Sequence, residues 1–206
     1  MGRFSASLAG VAKVDNHVRS APDKIEIRRN VLGEVGATVF DAFAGAGHMY
    51  RAVWKDAPGY VGCDKRWFPK DDRLAYVSDN LRVLRAIDLK PFGIFDLDAY
   101  GSPWEQAFVV AARRPVKPGE RIGFCLTDGS SIKLKMGGAP IAMAQLAGLN
   151  PKAVGLAGSH DEVIERALHG LAARMRCTLT RLWRARGTSA AKVIYLGVVM
   201  EGLPAS

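Results

Sequence analysis

Acidic side chains follow apolar runs at several places in this sequence, and one place carries two of them together. An apolar run at 93–97 ends in Asp96 and Asp98 and leads into a Tyr-Gly-Ser-Pro turn at 100–103. In open α/β sheets, ligands bind outside the carboxyl ends of the strands. We therefore expect chemistry at the rim of a sheet, where this run would deliver its acids.

A second chemically capable segment is the loop at 41–47, which carries Asp41, Gly45 and Gly47. Glycine permits a sharp turn and lets the backbone approach a ligand closely. The third glycine of a dinucleotide-binding fingerprint would fall at position 50, which is a tyrosine. The loop thus favours a ligand-binding turn and argues against a nicotinamide or flavin site.

Two further acids, Asp64 and Asp79, each follow a short apolar run. A carboxylate at Asp64 can accept both hydrogen bonds of a ribose diol, and Asp79 can accept one from an adenine amino group. Asp41 can bond the loop amides or contact the amino group of a methionine-like moiety. The alternatives are loop capping for Asp41, a plain strand-end acid for Asp64, and Ser78 or Asn80 in place of Asp79.

The order of apolar and amphipathic segments predicts how these acids are positioned. Short β-rich runs alternate with helical stretches, which predicts a parallel sheet covered by helices. The connection at 186–189 is so short that the last two strands must be antiparallel. We expect a doubly wound α/β fold closed by an antiparallel C-terminal hairpin, with strands at 38–43, 60–63, 74–77, 93–97, 122–127, 178–183 and 192–200.

Helix signals separate these strands. A helix is expected from Pro22, and Ser102 is expected to cap another, with Pro103 at its first position and Glu105 completing a capping box. Ser159 with Glu162 gives a second capping box. Residues 129–140 are expected to form a glycine- and lysine-containing loop, residues 1–20 an irregular arm, and residues 1–206 a single domain.

Over roughly residues 22–200 this pattern resembles the class I S-adenosylmethionine-dependent methyltransferases. Asp41-x-Phe43-x-Gly45-x-Gly47 is similar to their first motif, Asp64 to their ribose-binding acid and Asp79 to their adenine-contacting residue. The resemblance implies a seven-stranded Rossmann-like sheet and S-adenosylmethionine as cofactor. The cofactor-binding residues expected are Asp41, Phe43, Ala44, Gly45, Gly47, Asp64, Lys65, Asp79, Asn80 and Asp96.

The segment at 96–103 resembles the Asp-x-Asp-Pro-Phe/Tyr-Gly-Ser-Pro motif of tRNA guanine-N2 methyltransferases, and more loosely the Asp/Asn-Pro-Pro-Tyr motif of amino-methylating DNA enzymes. The resemblance makes Asp98 the catalytic residue and lets Tyr100 stack on an extruded base. A carboxylate can orient an exocyclic amine toward a methyl donor and receive its proton. Asp96 has the alternative role of supporting the loop. Ala99 departs from the proline of both families.

Substrate contacts are expected beside this segment. Lys133 and Lys135 are candidate phosphate contacts, and Trp104 is expected either to stack on a base or to pack in the core. The full set of candidate substrate-binding residues is Ser102, Pro103, Trp104, Lys133 and Lys135.

Composition favours a polyanionic partner. The chain has 29 Lys and Arg against 20 Asp and Glu, a net charge of +9, which attracts phosphate backbones. Apolar runs are too short for a membrane span and a signal-peptide pattern is missing, so a cytoplasmic protein is expected. The three cysteines are expected to be buried free thiols, and no metal site is expected.

These observations predict a methyltransferase acting on an exocyclic amine of a base in RNA or DNA. Two alternatives remain open: a methyltransferase for small molecules, and a cofactor-binding subunit without activity. A lone catalytic domain would work as a homodimer, with a recognition partner, or by reading local shape alone.

Overall fold

The structure is a computed structural model that describes residues 20–66, 68, 72–152, 155–187 and 193–204. The arm predicted at 1–20 lies outside these residues except for Ser20. Part of the turn predicted at 186–189 also lies outside them.

One mixed sheet of seven strands forms the centre of the molecule, in the order β3-β2-β1-β4-β5-β7-β6. The first five strands run parallel, and β7 pairs antiparallel with both β5 and β6. This confirms the predicted mostly parallel sheet and its antiparallel C-terminal pair. The strands are β1 Val39–Asp41, β2 Tyr60–Asp64, β3 Ala75–Val77, β4 Ile94–Leu97, β5 Arg121–Asp128, β6 Cys177–Arg186 and β7 Ile194–Gly202.

Helices cover both faces of the sheet, because the central strands are apolar on both sides. Helix α1 packs on β5 and β7, while α4, α6 and α7 pack together with α3 on the opposite face. The helices are α1 Ala21–Val35, α2 His48–Ala52, α3 Asn80–Ala86, α4 Trp104–Arg113, α5 Ser131–Lys135, α6 Ile141–Ala147 and α7 His160–Arg174. Short 3-10 turns lie at Trp54–Asp56 and Leu156–Ser159.

Three local predictions were wrong. Helix α4 begins at Trp104 with Pro103 as N-cap, so Ser102 lies one residue too early to cap it. Ser159 does occupy the N-cap of α7, but its side chain makes no capping hydrogen bond to the described residues. The loop predicted at 129–140 contains helix α5, whose Leu134 is buried and packs beside Ala139. The buried side chain of Leu134 therefore orders part of the segment 129–140, for which the glycines had predicted a loop.

The cysteine prediction is confirmed, since Cys63, Cys125 and Cys177 are free and buried. Within the described ranges, no helix is both long and apolar enough to cross a bilayer.

Candidate active site at the carboxyl edge of the sheet

Parallel strands end on the same side of a sheet, and here that edge gathers the predicted acids. Asp41 ends β1 and Asp64 ends β2, and Asp128, which was not among the predicted site residues, ends β5. Asp41 lies in register with Asp96 of β4, so these two carboxylates are neighbours across the strand pair. Asp98 follows β4 directly. The strand pattern correctly predicted that Asp41, Asp64 and Asp98 lie at strand ends, whereas the pairing of β1 with β4 was not predicted.

The glycine turn after β1 adopts backbone conformations that favour glycine, with φ of 46° at Gly45 and 78° at Gly47. Arg73 donates to the carbonyls of Ala44 and Gly45, each at 2.9 Å. A Cβ at Gly47 would lie 2.8 Å from Arg73 Cζ, and the left-handed φ at this position disfavours any residue with a side chain. Arg73 was not predicted, because no motif links it to a turn nearly thirty residues earlier.

Asp64 joins the ends of β1 and β2. Its Oδ2 accepts from Gly45 N at 2.9 Å, and its Oδ1 accepts from Arg66 N at 2.8 Å. Each carboxylate oxygen has two lone-pair sites, so further donors can still bind. The acid fixes the glycine turn and keeps capacity for a ligand.

A cavity of about 410 Å³ opens beside Asp64, within the range of small-molecule sites. It brings together five of the predicted cofactor residues and adds Gln106, which was not predicted. Its lining comprises Ala42, Phe43, Asp64, Lys65, Ser78, Asp79, Asn80, Leu81 and Gln106. Two other predicted residues, Ala44 and Gly45, line a small crevice next to it together with Asp64 and Arg73.

Asp79 lies on the cavity wall as the N-cap of α3. Its Oδ1 accepts from Arg82 N at 3.1 Å, and Lys65 Nζ lies 2.9 Å from its Oδ2. The hydrogen bonds from Lys65 and the Arg82 amide hold the pKa of Asp79 below its ordinary value. Asp79 therefore has a local structural role, and its predicted contact with a ligand stays a prediction.

Asp41 is buried and caps its own loop, which is the alternative predicted for it. It accepts from Phe43 N at 3.1 Å and from the Tyr60 hydroxyl at 2.9 Å. Burial, together with the neighbouring Asp96 carboxylate, raises the pKa of Asp41 well above its ordinary value. A contact with a methionine-like moiety stays a prediction.

Asp96 does not line the cavity, and the contact with a cofactor predicted for it is replaced by a supporting role. The side chain is fully buried and accepts from Arg28 Nε and Nη2, each at 2.7 Å. Trp54 Nε1 donates to it as well, also at 2.7 Å. All three donors come from outside β4, so Asp96 anchors α1 and the 3-10 turn to the strand end.

Asp98 is paired with a lysine that sequence reasoning missed. Lys24 Nζ lies 2.8 Å from Oδ1 and 2.9 Å from Oδ2, and Arg28 Nη2 lies 3.3 Å from Oδ2. The Asp98 side chain keeps 18% of its surface exposed. Burial raises the pKa of Asp98, but the charges of Arg28 and Lys24 outweigh it and hold the pKa below its ordinary value. The carboxylate is ionised and accessible.

The rest of the 98–103 segment is shaped by backbone contacts. Ala99 N donates to Leu97 O at 2.8 Å, a bond that proline could not make because it lacks the amide hydrogen. The turn therefore holds its shape without the proline of the resembling families. Gly129 N donates to Gly101 O and ties the loop after β5 to this segment. Tyr100 projects outward with 71% of its surface exposed.

The loop after β5 is fixed by a buried pair that the sequence did not reveal. Asp128 Oδ2 lies 2.7 Å from His160 Nε2, and Asp128 Oδ1 accepts from Ser130 N at 3.2 Å and Ser130 Oγ at 2.5 Å. His160 opens α7, more than thirty residues along the chain. These contacts lock the loop that bears Gly129.

A second cavity, of about 510 Å³, lies outside α4 and brings two predicted substrate residues together. Ser102 and Lys133 both line it, next to Arg85. Lys135 is exposed on α5, whereas Pro103 is buried. Of the two positions predicted for Trp104, the structure shows core packing, because its indole is fully buried, and stacking on a base is thereby corrected.

No protein-family model matches this sequence, and no curated protein matches it either. Similar solved structures do exist. Trm1 from Pyrococcus horikoshii, solved with S-adenosyl-L-methionine, matches 90% of this chain and 56% of its own at 16% identity, with a TM-score of 0.59. The chain therefore spans little more than half of the Trm1 chain.

Two other structures match over more of their own length. N-methyltransferase NodS from Bradyrhizobium japonicum, with S-adenosylhomocysteine, matches 93% of this chain and 91% of its own at 11% identity and a TM-score of 0.52. TYW2 of M. jannaschii, in complex with AdoMet, matches 87% of this chain and 76% of its own at 13% identity, also with a TM-score of 0.52. The chain has the class I methyltransferase fold. The predicted Rossmann-like architecture is thereby confirmed.

Proposed function

We propose that the protein is an S-adenosylmethionine-dependent methyltransferase that binds its cofactor in the 410 Å³ cavity and the adjoining crevice. The observation that carries this proposal is the meeting of a glycine turn and Asp64 at the carboxyl edge of a methyltransferase-type sheet. The site fits the group, because a Cβ placed on Gly45 would meet nothing closer than Phe43 O at 3.8 Å. A ligand can therefore approach this backbone closely.

In this proposal Asp64 accepts from the ribose hydroxyls with the lone pairs that its backbone contacts leave free. Phe43, Asn80 and Leu81 line the same cavity and would form the wall next to the purine. S-adenosylmethionine supplies a methyl group on a positively charged sulfur, which a nucleophile can attack. The chain needs only to seat this group and present an amine to it.

We propose that the methyl acceptor is an exocyclic nitrogen of a nucleic-acid base, and that Asp98 orients this nitrogen. Such a nitrogen is a poor nucleophile, since its lone pair is conjugated with the ring. Lys24 and Arg28 keep Asp98 ionised, so that it can accept a hydrogen bond from the amine and hold the lone pair toward the methyl donor. Because the same cations lower the pKa of Asp98, the released proton passes on to water.

The charge distribution supports a polyanionic substrate. The net charge is +9. Lys133 and Arg85 line the 510 Å³ cavity next to Ser102. Lys135 lies exposed on helix α5, which also carries Lys133. Phosphate contacts at this position would leave the exposed Tyr100 ring free to stack on an extruded base. A homodimer or a recognition partner would supply any longer contact surface.

The test is incubation with tritiated-methyl S-adenosylmethionine and separate pools of tRNA, rRNA and DNA, followed by identification of the labelled nucleoside. We expect an N-methylated base in one pool, with binding that weakens steeply as salt rises. Label in none of the pools, together with turnover on small amines, would establish the small-molecule alternative. No calorimetric binding of S-adenosylhomocysteine would overturn the proposal entirely.

A further inference from the structure

A short chain of hydrogen bonds crosses the cavity wall and fixes the orientation of two amide side chains. Asn80 Nδ2 donates to Ala42 O at 2.9 Å, and Gln106 Nε2 donates to Asn80 Oδ1 at 3.1 Å. A backbone carbonyl can only accept, so Asn80 must present its amino group to Ala42. Asn80 Oδ1 then faces Gln106, which must present its own amino group. Neither amide can be flipped without breaking the chain.

This orientation leaves Gln106 Oε1 as an acceptor without a donor. The oxygen is buried and has no hydrogen-bond partner among the described residues, and Gln106 as a whole is only 8% exposed. A buried acceptor that lacks a partner destabilises a protein, and such atoms are rare in native structures. Because Gln106 lies on the cavity wall, a ligand in the cavity can supply the missing donor.

The two carboxylates of the cavity wall, in contrast to this amide oxygen, already have donors. Both oxygens of Asp64 accept from backbone amides, and Asp79 is engaged by Arg82 N and Lys65. Gln106 Oε1, in contrast, accepts nothing. In the proposed complex Asp64 accepts from the ribose hydroxyls, and a neutral carbonyl is a weaker partner for a cation than a carboxylate is. The neutral oxygen of Gln106 is therefore best matched by a neutral amino group of the ligand.

We propose that Gln106 Oε1 accepts a hydrogen bond from the 6-amino group of the adenine ring and thereby makes the site selective for 6-aminopurine nucleosides. The inference rests on the proposed function and deepens it, since it moves the adenine-reading role from Asp79 to a residue of helix α4. A purine without the 6-amino group would leave the oxygen as unpaired as it is in the free protein.

The experiment is isothermal titration calorimetry of the full chain with two ligands. One is S-adenosylhomocysteine, and the other is its analogue with hydrogen in place of the 6-amino group. We expect the wild type to prefer the amino form by roughly tenfold to a hundredfold, the range set by leaving one buried acceptor unpaired. In Gln106→Met, which keeps the side-chain volume and removes the acceptor, we expect the two ligands to bind within about threefold of each other.

Gln145→Met is the matched control, because Gln145 lies on α6 beside the other cavity and should keep the full preference. If Gln106 only ties α3 to α4, its replacement weakens both ligands equally and the preference survives, which overturns the inference. An equal affinity of the wild type for both ligands overturns it too. Failure of the wild type to bind either ligand overturns the proposed function as well, so the two failures are distinguishable.

Discussion

The carboxyl edge of the sheet has two halves whose buried and half-buried carboxylates have different partners. In the half formed by β1, β2 and β3, Asp41 and Asp64 accept from neutral donors, chiefly backbone amides, while the more exposed Asp79 is paired with a cation, Lys65. In the half formed by β4 and β5, Asp96 and Asp98 are paired with the cations of α1, and Asp128 with an imidazole. We call these the nucleoside half and the transfer half.

The difference is one of sequence distance as well as charge. Contacts in the nucleoside half span 2 or 19 residues at both Asp41 and Asp64, so chain segments close in sequence build them. Contacts in the transfer half span 42 or 68 residues at Asp96, and the contact with Lys24 spans 74 at Asp98. Asp64 in the first half keeps acceptor capacity for a ligand, whereas the cations of α1 cancel much of the charge of Asp96 and Asp98 and hold them in a fixed geometry.

The largest effect should come from the transfer half, at Asp98. Asp98→Asn removes the carboxylate that orients the amine, and we expect the rate of methyl transfer to fall about 10²- to 10⁴-fold. Affinity for S-adenosylhomocysteine should change little, because Asp98 does not line the nucleoside cavity. Single-turnover transfer of a tritiated methyl group and calorimetry measure the two quantities. Full activity of this variant would contradict the assignment.

Next in size is the loss of stability on breaking the buried pair of the transfer half. Arg28→Met leaves Asp96 buried without its cation, and we expect the free energy of unfolding to fall by about 3–5 kcal/mol. The control is Arg181→Met, which removes an arginine 60% exposed and 3.7 Å from Glu34 and should cost less than about 1 kcal/mol. Urea denaturation compares them. An equal decrease in the free energy of unfolding in the two variants would contradict the larger contribution assigned to the buried pair of Arg28 and Asp96.

In the nucleoside half, Asp64→Asn should weaken S-adenosylhomocysteine binding by about tenfold to a hundredfold, because a charged acceptor for the ribose is lost. Asp88→Asn provides the control, since Asp88 also accepts from the amide two residues on but lies outside the cavity. Calorimetry at one pH is sufficient. A similar loss in both variants would remove the ribose assignment.

The smallest effect should be a shift in pH dependence at Lys24. Lys24 helps to hold the pKa of Asp98 below its ordinary value, so Lys24→Met raises that pKa. Because the ionised form is required, the acid limb of the pH–rate profile should move to higher pH in Lys24→Met, while transfer should change little where Asp98 is ionised in both proteins. Lys24→Arg keeps the charge and should keep the profile. An unchanged acid limb in Lys24→Met would rule out the positioning role of this lysine.

The two halves also differ in how far sequence could predict them. Strand ends and glycines are local signals, and they correctly predicted that Asp41, Asp64 and Asp98 lie at the ends of parallel strands and that the chain turns at 45–47. Lys24 and His160 carry no local signal, because each lies on a helix and meets its carboxylate only through tertiary packing. Gln106 could have been noticed as a lone amide in an apolar helix, but its unpaired oxygen depends on Asn80.

Helix α1 is synthesised well before β4, whose carboxylates pair with the cations of the helix, and this order affects how the chain folds during synthesis. About seventy more residues must be synthesised after Lys24 and Arg28 before their partners Asp98 and Asp96 are present. Until then the two cations are best kept in water, since burying them alone is unfavourable. The helix should therefore dock late and in one step, so that a nascent chain lacking β4 would remain incompetent however well its glycine turn had formed.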